Sequence, residues 1–396
     1  MIRRNFNADW TVEKGSGDSR MNSFLGNTQT KTVHLPYDAM IHEARTPDTK
    51  NGAQTGFYPG GEYIFQKHFT APQAWQGKPV SLVFEGVYQT ALVYLNGWLL
   101  TRNVNGYAEF IVEAGPYLKY GADNLLKVIA DNSLEPNSRW YTGSGIYRPV
   151  RLLVGNKVYL PQDTVRITTR EADEGFALLD VTAQVQSAST VTERVTLQQT
   201  ICREGTAVLT DRQNLLLQPG ESRTVSFRYC VDSPALWSPE NPNLYTSTMQ
   251  VLEGEEELDR EETRFGIRTL SIDAAHGVRI NGQTVKLRGA CIHHDNGILG
   301  AATLPDAEER RIRQLKEAGF NAIRSSHHPA GRALLDACDR YGVLVMDELS
   351  DVWNVRKNPY DYALYFEQDW KPTIQKMVAK DYNHPSVILY CVGNEI

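Results

Sequence analysis

The sequence predicts two all-β modules followed by the first half of a parallel (β/α)8 barrel, and three observations lead there. Short alternating apolar runs broken by turn residues fill roughly the first 267 positions, the period of half-buried antiparallel strands. Beyond about residue 268 strands and helices alternate, which makes parallel strands joined by right-handed crossovers. Each strand of that second part ends on polar residues: His293-His294-Asp295, His327-His328, Asp347-Glu348 and Asn394-Glu395. Chemistry at the carboxyl ends of successive strands is the habit of a (β/α)8 barrel.

The first module, residues 1–157, contains "ALVYLNGWLL" (91–100), where Asn96-Gly97 between two apolar runs predicts a two-residue hairpin. "YPGG" (58–61) and "TGSG" (142–145) read as further turns. Residues 158–267 keep the period of two, with Val195, Leu197 and Ile201 in one run and Val225, Phe227 and Tyr229 in another. Spacing and length suit an antiparallel sandwich. "WSPENPNLY" (237–245), with two prolines, makes a rigid corner before its last strands.

In residues 268–396, Leu287–Ile292 reads as the first strand. "DAEERRIRQLKEAG" (306–319) reads as a helix, with Asp306 and Glu309 as a capping-box start and Gly319 as a C-terminal cap. "AIRSS" (322–326) is the second strand. Pro329 opens a second helix with Leu334, Cys338 and Tyr341 on one face, and Gly342 ends it. "VLVMDE" (343–348) is the third strand, and a long loop leads to a helix striped by Trp370, Ile374, Met377 and Val378. The apolar run Val387–Val392 reads as a fourth strand covered on both faces. An open doubly wound sheet also fits this alternation, but no glycine-rich turn follows the first strand. A full barrel takes roughly 250 residues, so the expectation is a chain truncated at Ile396, after four of eight strands.

Charged residues make up 22% and hydrophobic ones 41%, and the net charge is −6. That balance argues against nucleic acid or an anionic membrane as the main partner. The acidic run Glu253–Glu257 with Glu261 and Glu262 reads as a solvated edge. The sequence has no apolar stretch of about 18 residues, and "MIRRNFNADW" lacks the apolar segment of a secretion signal. Five cysteines without a CxxC pair predict reduced, mostly buried thiols in a cytoplasmic protein. Neighbouring strand residues point to opposite faces, so at most one histidine of each pair enters the barrel mouth. No third ligand follows at zinc spacing, and no metal site is assigned.

"NAIRSSHHPAGRALLDACDRYGVLVMDE" (321–348) and "DYNHPSVILYCVGNE" (381–395) resemble two signature segments of glycoside hydrolase family 2. That family holds multidomain β-galactosidases, β-glucuronidases and β-mannosidases. "NSRWYTGSGIYRPVRL" (137–152) is similar to a segment near the end of the family's first domain, and "RGACIHHDNGILGAA" (288–302) to the first barrel strand of the β-galactosidase branch. The resemblance spans the chain and implies a jelly roll, an immunoglobulin-like sandwich and a barrel, in that order. It further implies a retaining exo-β-glycosidase, foremost a β-galactosidase acting on small β-galactosides or oligosaccharides. The alternatives are a β-glucuronidase of the same family and a non-catalytic carbohydrate-binding or structural fragment.

Carried over by motif, Glu395 matches the general acid/base and Asn394 its partner at the sugar 2-hydroxyl. Arg324 matches the arginine that supports the nucleophile, and His293 and His327 match histidines facing the sugar. Asp351 and Trp353, in the loop after Glu348, are candidates for a polar contact and an aromatic platform. Arg139 lies in the segment that reaches toward the barrel mouth in the family. A retaining enzyme needs a protonated carboxyl and a carboxylate nucleophile about 5 Å away. The nucleophile belongs to the seventh strand, so this chain alone is expected to be inactive. Three departures stand out. His328 replaces a usual tyrosine, Tyr390-Cys391 replace a tryptophan and a small residue, and "LSDVWN" (349–354) lacks the Glu-x-His magnesium ligands of some β-galactosidases. A divalent or monovalent cation and a homo-oligomer are implied by the resemblance alone.

Overall fold

The computed structural model describes residues 1–15 and 30–396. In the first domain a six-stranded sheet faces a four-stranded one, and their inner faces enclose a core that includes Trp10, Phe65, Leu82, Phe84 and Leu126. The predicted hairpin joins Thr90–Leu95 to Trp98–Asn103, with Leu95 opposite Trp98. Asn96 and Gly97 lie at φ +52° and +90°, the left-handed pair that matches strand twist in a two-residue turn. "TGSG" forms no regular turn but a loop in which Gly143 and Gly145 lie at φ +67° and +117°, with Gly145 in a bridge to Tyr88. The loop wraps a buried carboxylate, Asp38.

The second domain stacks two antiparallel sheets, from Val158 to Phe265, around Val181, Leu197, Phe227, Met249 and Val251. Its proline corner faces the barrel. Trp237 is fully buried among Ile280, Ala322, Leu344 and Ile388, and its indole N–H donates to the Asp339 carbonyl at 2.9 Å.

Four parallel strands follow in sequential order: Gly289–Ile292, Ala322–Ser325, Leu344–Glu348 and Val387–Cys391. Helices α1 (Pro305–Glu317), α2 (Arg332–Tyr341) and α3 (Phe366–Asp381) cross between them. The helix starts depart from expectation. No side chain caps α1, which opens on Pro305 after Leu304; Glu309 instead accepts from Arg340 and Tyr341 on the neighbouring helix. Its end is as predicted, with Gly319 N–H bonded to the Lys316 carbonyl and Phe320 N–H to that of Leu315. Helix α2 starts at Arg332, not Pro329, because residues 329–331 are spent on docking: Pro329 O accepts from Arg148 and Ala330 N–H donates to Asp347. On α3 the buried positions are Thr373, Met377, Lys380 and Asp381, whereas Trp370, nearer the helix start, is exposed and lies against Phe366. The fourth strand is buried at Val387 and Ile388 only, and Tyr390 is exposed. Of the five thiols, all free, only Cys338 is buried.

Arg332 of α2 ties the barrel to both preceding domains, donating to Glu109 at 2.8 and 2.9 Å and to Asp163 at 2.5 Å. Gly342, at φ +66°, ends α2 and lies against the proline corner. A Cβ there would sit 2.3 Å from the Pro239 carbonyl oxygen. Gly342→Ala should therefore cost more than the ~1–2 kcal/mol of a left-handed residue alone, read as a lower urea midpoint of the full-length protein by tryptophan fluorescence; an unchanged midpoint would refute this packing.

Candidate active site

The site grows from the third barrel strand, which ends on two acids pointing to opposite faces. Asp347 accepts from the N–H groups of Ala330 and Glu348 on the helix side. Glu348, with no exposed side-chain surface, faces the barrel interior, where a buried carboxylate needs donors. Arg324 supplies two, Nε to Oε2 at 2.6 Å and Nη2 to Oε1 at 2.9 Å, and His327 Nδ1 lies 3.1 Å from Oε1. These bonds to Glu348 hold the guanidinium further above its ordinary pKa.

Arg324 Nη2 also donates to Asn394 Oδ1 at 3.1 Å. The Asn394 amide donates to Asp351 Oδ1 at 2.9 Å, and its carbonyl accepts from Lys357 Nζ at 2.6 Å. The residue before Glu395 is thus held at three points. Asp351 is the hub of this tie. Beyond Asn394 it accepts from Arg139 at 2.6 and 3.2 Å and from Lys357 at 2.9 Å. Burial pushes the Asp351 carboxyl up, but the bonds from Arg139, Asn394 and Lys357 carry it below the usual carboxylate range. Glu395, by contrast, is open: its side chain is 70% exposed, with Arg139 and Lys357 nitrogens 3.5 and 3.6 Å from Oε2.

The first domain forms one wall. Trp140 stacks on His293 with ring centres 4.9 Å apart at 15° and meets His327 edge-on at 5.6 Å, and its indole N–H donates to Tyr107 Oη at 3.0 Å. His293 Nδ1 donates to the Ser326 carbonyl at 2.6 Å, which leaves Nε2 as an acceptor; burial lowers the pKa of this ring. The second histidine of each pair turns away into the protein. His294 Nε2 donates to the Thr142 carbonyl at 2.9 Å, and His328 stacks on Tyr107 at 4.1 Å.

The structure therefore brings Glu395, Asn394, Arg324, His293, His327, Asp351 and Arg139 to one mouth, but two expected roles change. Asp351 spends its Oδ1 on Arg139, Lys357 and Asn394 and so holds Asn394 in place, while Oδ2, bonded only to Arg139 Nε at 3.2 Å, is the oxygen left for a polar contact. Trp353 gives one face to Phe366, 6.0 Å away at 21°, and its N–H to the Val392 carbonyl, so it is a half-used platform. Lys357 was missed as a site residue. Trp140 lies in the "SRWY" segment that carried Arg139, whereas Lys357 sits in a loop with no motif. Among the described residues one group could gather metal ligands, Asp336, Asp339 and His384. It lies before the fourth strand rather than after it, and Asp339 is occupied by His384 and Ser386.

Three models of one family match consecutive stretches: the "galactose-binding domain-like" domain of glycosyl hydrolase family 2 over residues 10–176, the family's middle domain over 158–268, and its TIM-barrel domain over 274–396. The chain belongs to glycoside hydrolase family 2. Among family 2 relatives, beta-galactosidase BoGH2A of Bacteroides ovatus is 37% identical over all of this chain and 46% of its own length. A family 2 crystal structure from Bacteroides cellulosilyticus superposes with a TM-score of 0.95 at 37% identity, covering 100% of this chain and 52% of that one. A Bacteroides uniformis beta-glucuronidase gives 0.85 at 27% identity, covering 100% and 47%. The chain spans about half the length of these relatives.

The inward histidines predict acid sensitivity. Burial drives His294 from an ordinary 6.5 to about 3. The unfolded chain takes up a proton below about pH 6.5 that the folded protein refuses until about pH 3, so this stability is present above 6.5 and lost as pH falls through that window. His294→Gln should lose less stability than the parent between about pH 7 and pH 5, by about 2 kcal/mol. Parallel urea curves at both pH values check this.

Proposed function

We propose that the protein carrying this chain is a retaining exo-β-glycosidase for β-galactosides, with Glu395 as its general acid/base. The observation that carries this reading is the contrast at the end of the fourth strand. Asn394 is held at three points, while the carboxyl beside it stands open in a mouth lined by His293, His327 and Trp140. In the first step Glu395 gives its proton to the glycosidic oxygen as a second carboxylate bonds to C1 and the aglycone leaves; in the second, Glu395 takes a proton from the water that attacks C1 and releases that carboxylate. Glu348 suits a fixed countercharge better than the nucleophile, because Arg324 and His327 occupy its oxygens. We assign the nucleophile to residues outside these 396. The free Nε2 atoms of His293 and His327 suit sugar hydroxyl donors, and Asn394 the 2-hydroxyl.

Similarity to BoGH2A, named a beta-galactosidase, favours galactosides. Likeness to a Bacteroides uniformis beta-glucuronidase keeps glucuronides as the second reading. In the full-length protein, Glu395→Gln should cut turnover of alkyl β-galactosides by ~10²–10⁴-fold and glycosylation by activated aryl galactosides far less, since those leave without a proton. Equal, modest losses on both would defeat the acid/base assignment. Paired aryl galactoside and glucuronide assays decide the sugar.

A further inference from the structure

Behind the two sugar-facing histidines lies a small cavity between the first domain and the barrel, lined among others by Arg148, His294, Thr303, Glu308, Arg311 and His328. The space open to the centre of a water molecule is only about 10 Å³, which is room for one. Four polar atoms of its lining are fully buried and find no hydrogen-bond partner among the described residues: Arg148 Nε, His294 Nδ1, His328 Nε2 and Glu308 Oε2. Buried polar groups in folded proteins are nearly always paired with protein or water. Four orphans around one cavity point to a ligand.

The protons on these atoms narrow its chemistry. His294 Nε2 faces the Thr142 carbonyl at 2.9 Å and His328 Nδ1 the Pro329 carbonyl at 3.3 Å. A carbonyl only accepts, so each ring carries its hydrogen there and turns a bare lone pair to the cavity. Burial keeps both rings neutral. Arg148 Nε can only donate. Its Nη1 and Nη2 donate to the Tyr107 and Pro329 carbonyls, at 2.7 and 3.1 Å. Glu308 Oε1 accepts from Asn296 at 2.8 Å, and Arg311 stays 3.8 Å from Oε2, beyond hydrogen-bond distance. A halide would meet two lone pairs and a carboxyl oxygen. A metal cation would meet the Arg148 guanidinium, with Arg311 close behind. A water molecule suits both kinds of atom, its oxygen accepting from Arg148 Nε and its two hydrogens going to His294 Nδ1 and His328 Nε2.

We propose that this cavity is a binding site for one resident water molecule, held between the first domain and the barrel by Arg148, His294 and His328, with Glu308 Oε2 beside it. The water binds the two inward histidines to each other, and so steadies the backbone that presents His293 and His327 to the mouth. It also gives a physical use to His328, whose ring nitrogen otherwise finds no partner. The site does not depend on which sugar the enzyme takes.

The test is crystallography of the full-length protein, with native, bromide-soaked and rubidium-soaked crystals. The expected result is one peak in the cavity, ~2.7–3.2 Å from at least three of the four atoms, with no anomalous signal there after either soak. An empty cavity, a peak with fewer than three such contacts, or an anomalous bromide or rubidium peak would overturn the proposal.

Discussion

A carboxylate with no exposed surface, Glu348, sets the terms for everything around it. Burying that charge is costly unless charge-assisted donors surround it. Arg324 and His327, both from the end of the second strand, meet the requirement, and this binds the second and third strands at the mouth. The same guanidinium reaches Asn394 on the fourth strand. From there the order passes to Asp351, and through Arg139 to the first domain. One buried charge therefore specifies the arrangement of three strand ends and one loop contributed from outside the barrel.

The domains before the barrel are part of the site's construction. Asp38, almost wholly buried, accepts from Met40, Ser144 and Tyr141 in its own domain and from the Ala301 N–H in the loop after the first barrel strand. That bond sets the first domain against the mouth, so that Trp140 can lie flat on His293. At the other end of the strands, Trp237 seals the barrel floor with an indole from the second domain. Both contacts are made by polar atoms with defined partners, which gives the docking a single register.

The sequence made the architecture legible wherever a local rule decides the outcome. Period-two alternation marks the sandwiches, Asn96-Gly97 the hairpin, and Gly319 and Gly342 the helix ends. It misled where a residue's partner comes from far along the chain. Glu309 looks like a capping residue but serves Arg340, and Trp370 fits the helical stripe of α3 but stays exposed near its start. The site shows the same division. The motifs at strand ends pointed to Glu395, Asn394 and Arg324. That Asp351 gives one oxygen to Arg139, Lys357 and Asn394 together depends on contacts through space that no spacing reveals.

The dependence of this arrangement on the Glu348–Arg324 pair is measurable by a double-mutant cycle of folding free energy in the full-length protein, using Glu348→Leu, Arg324→Met and both together. Each single change leaves a charge without its partner and should cost ~3–5 kcal/mol. The double change removes both charges and should recover at least about 2 kcal/mol relative to the sum of the singles. Additive costs, with no recovery in the double variant, would contradict the claim that this pair organises the site.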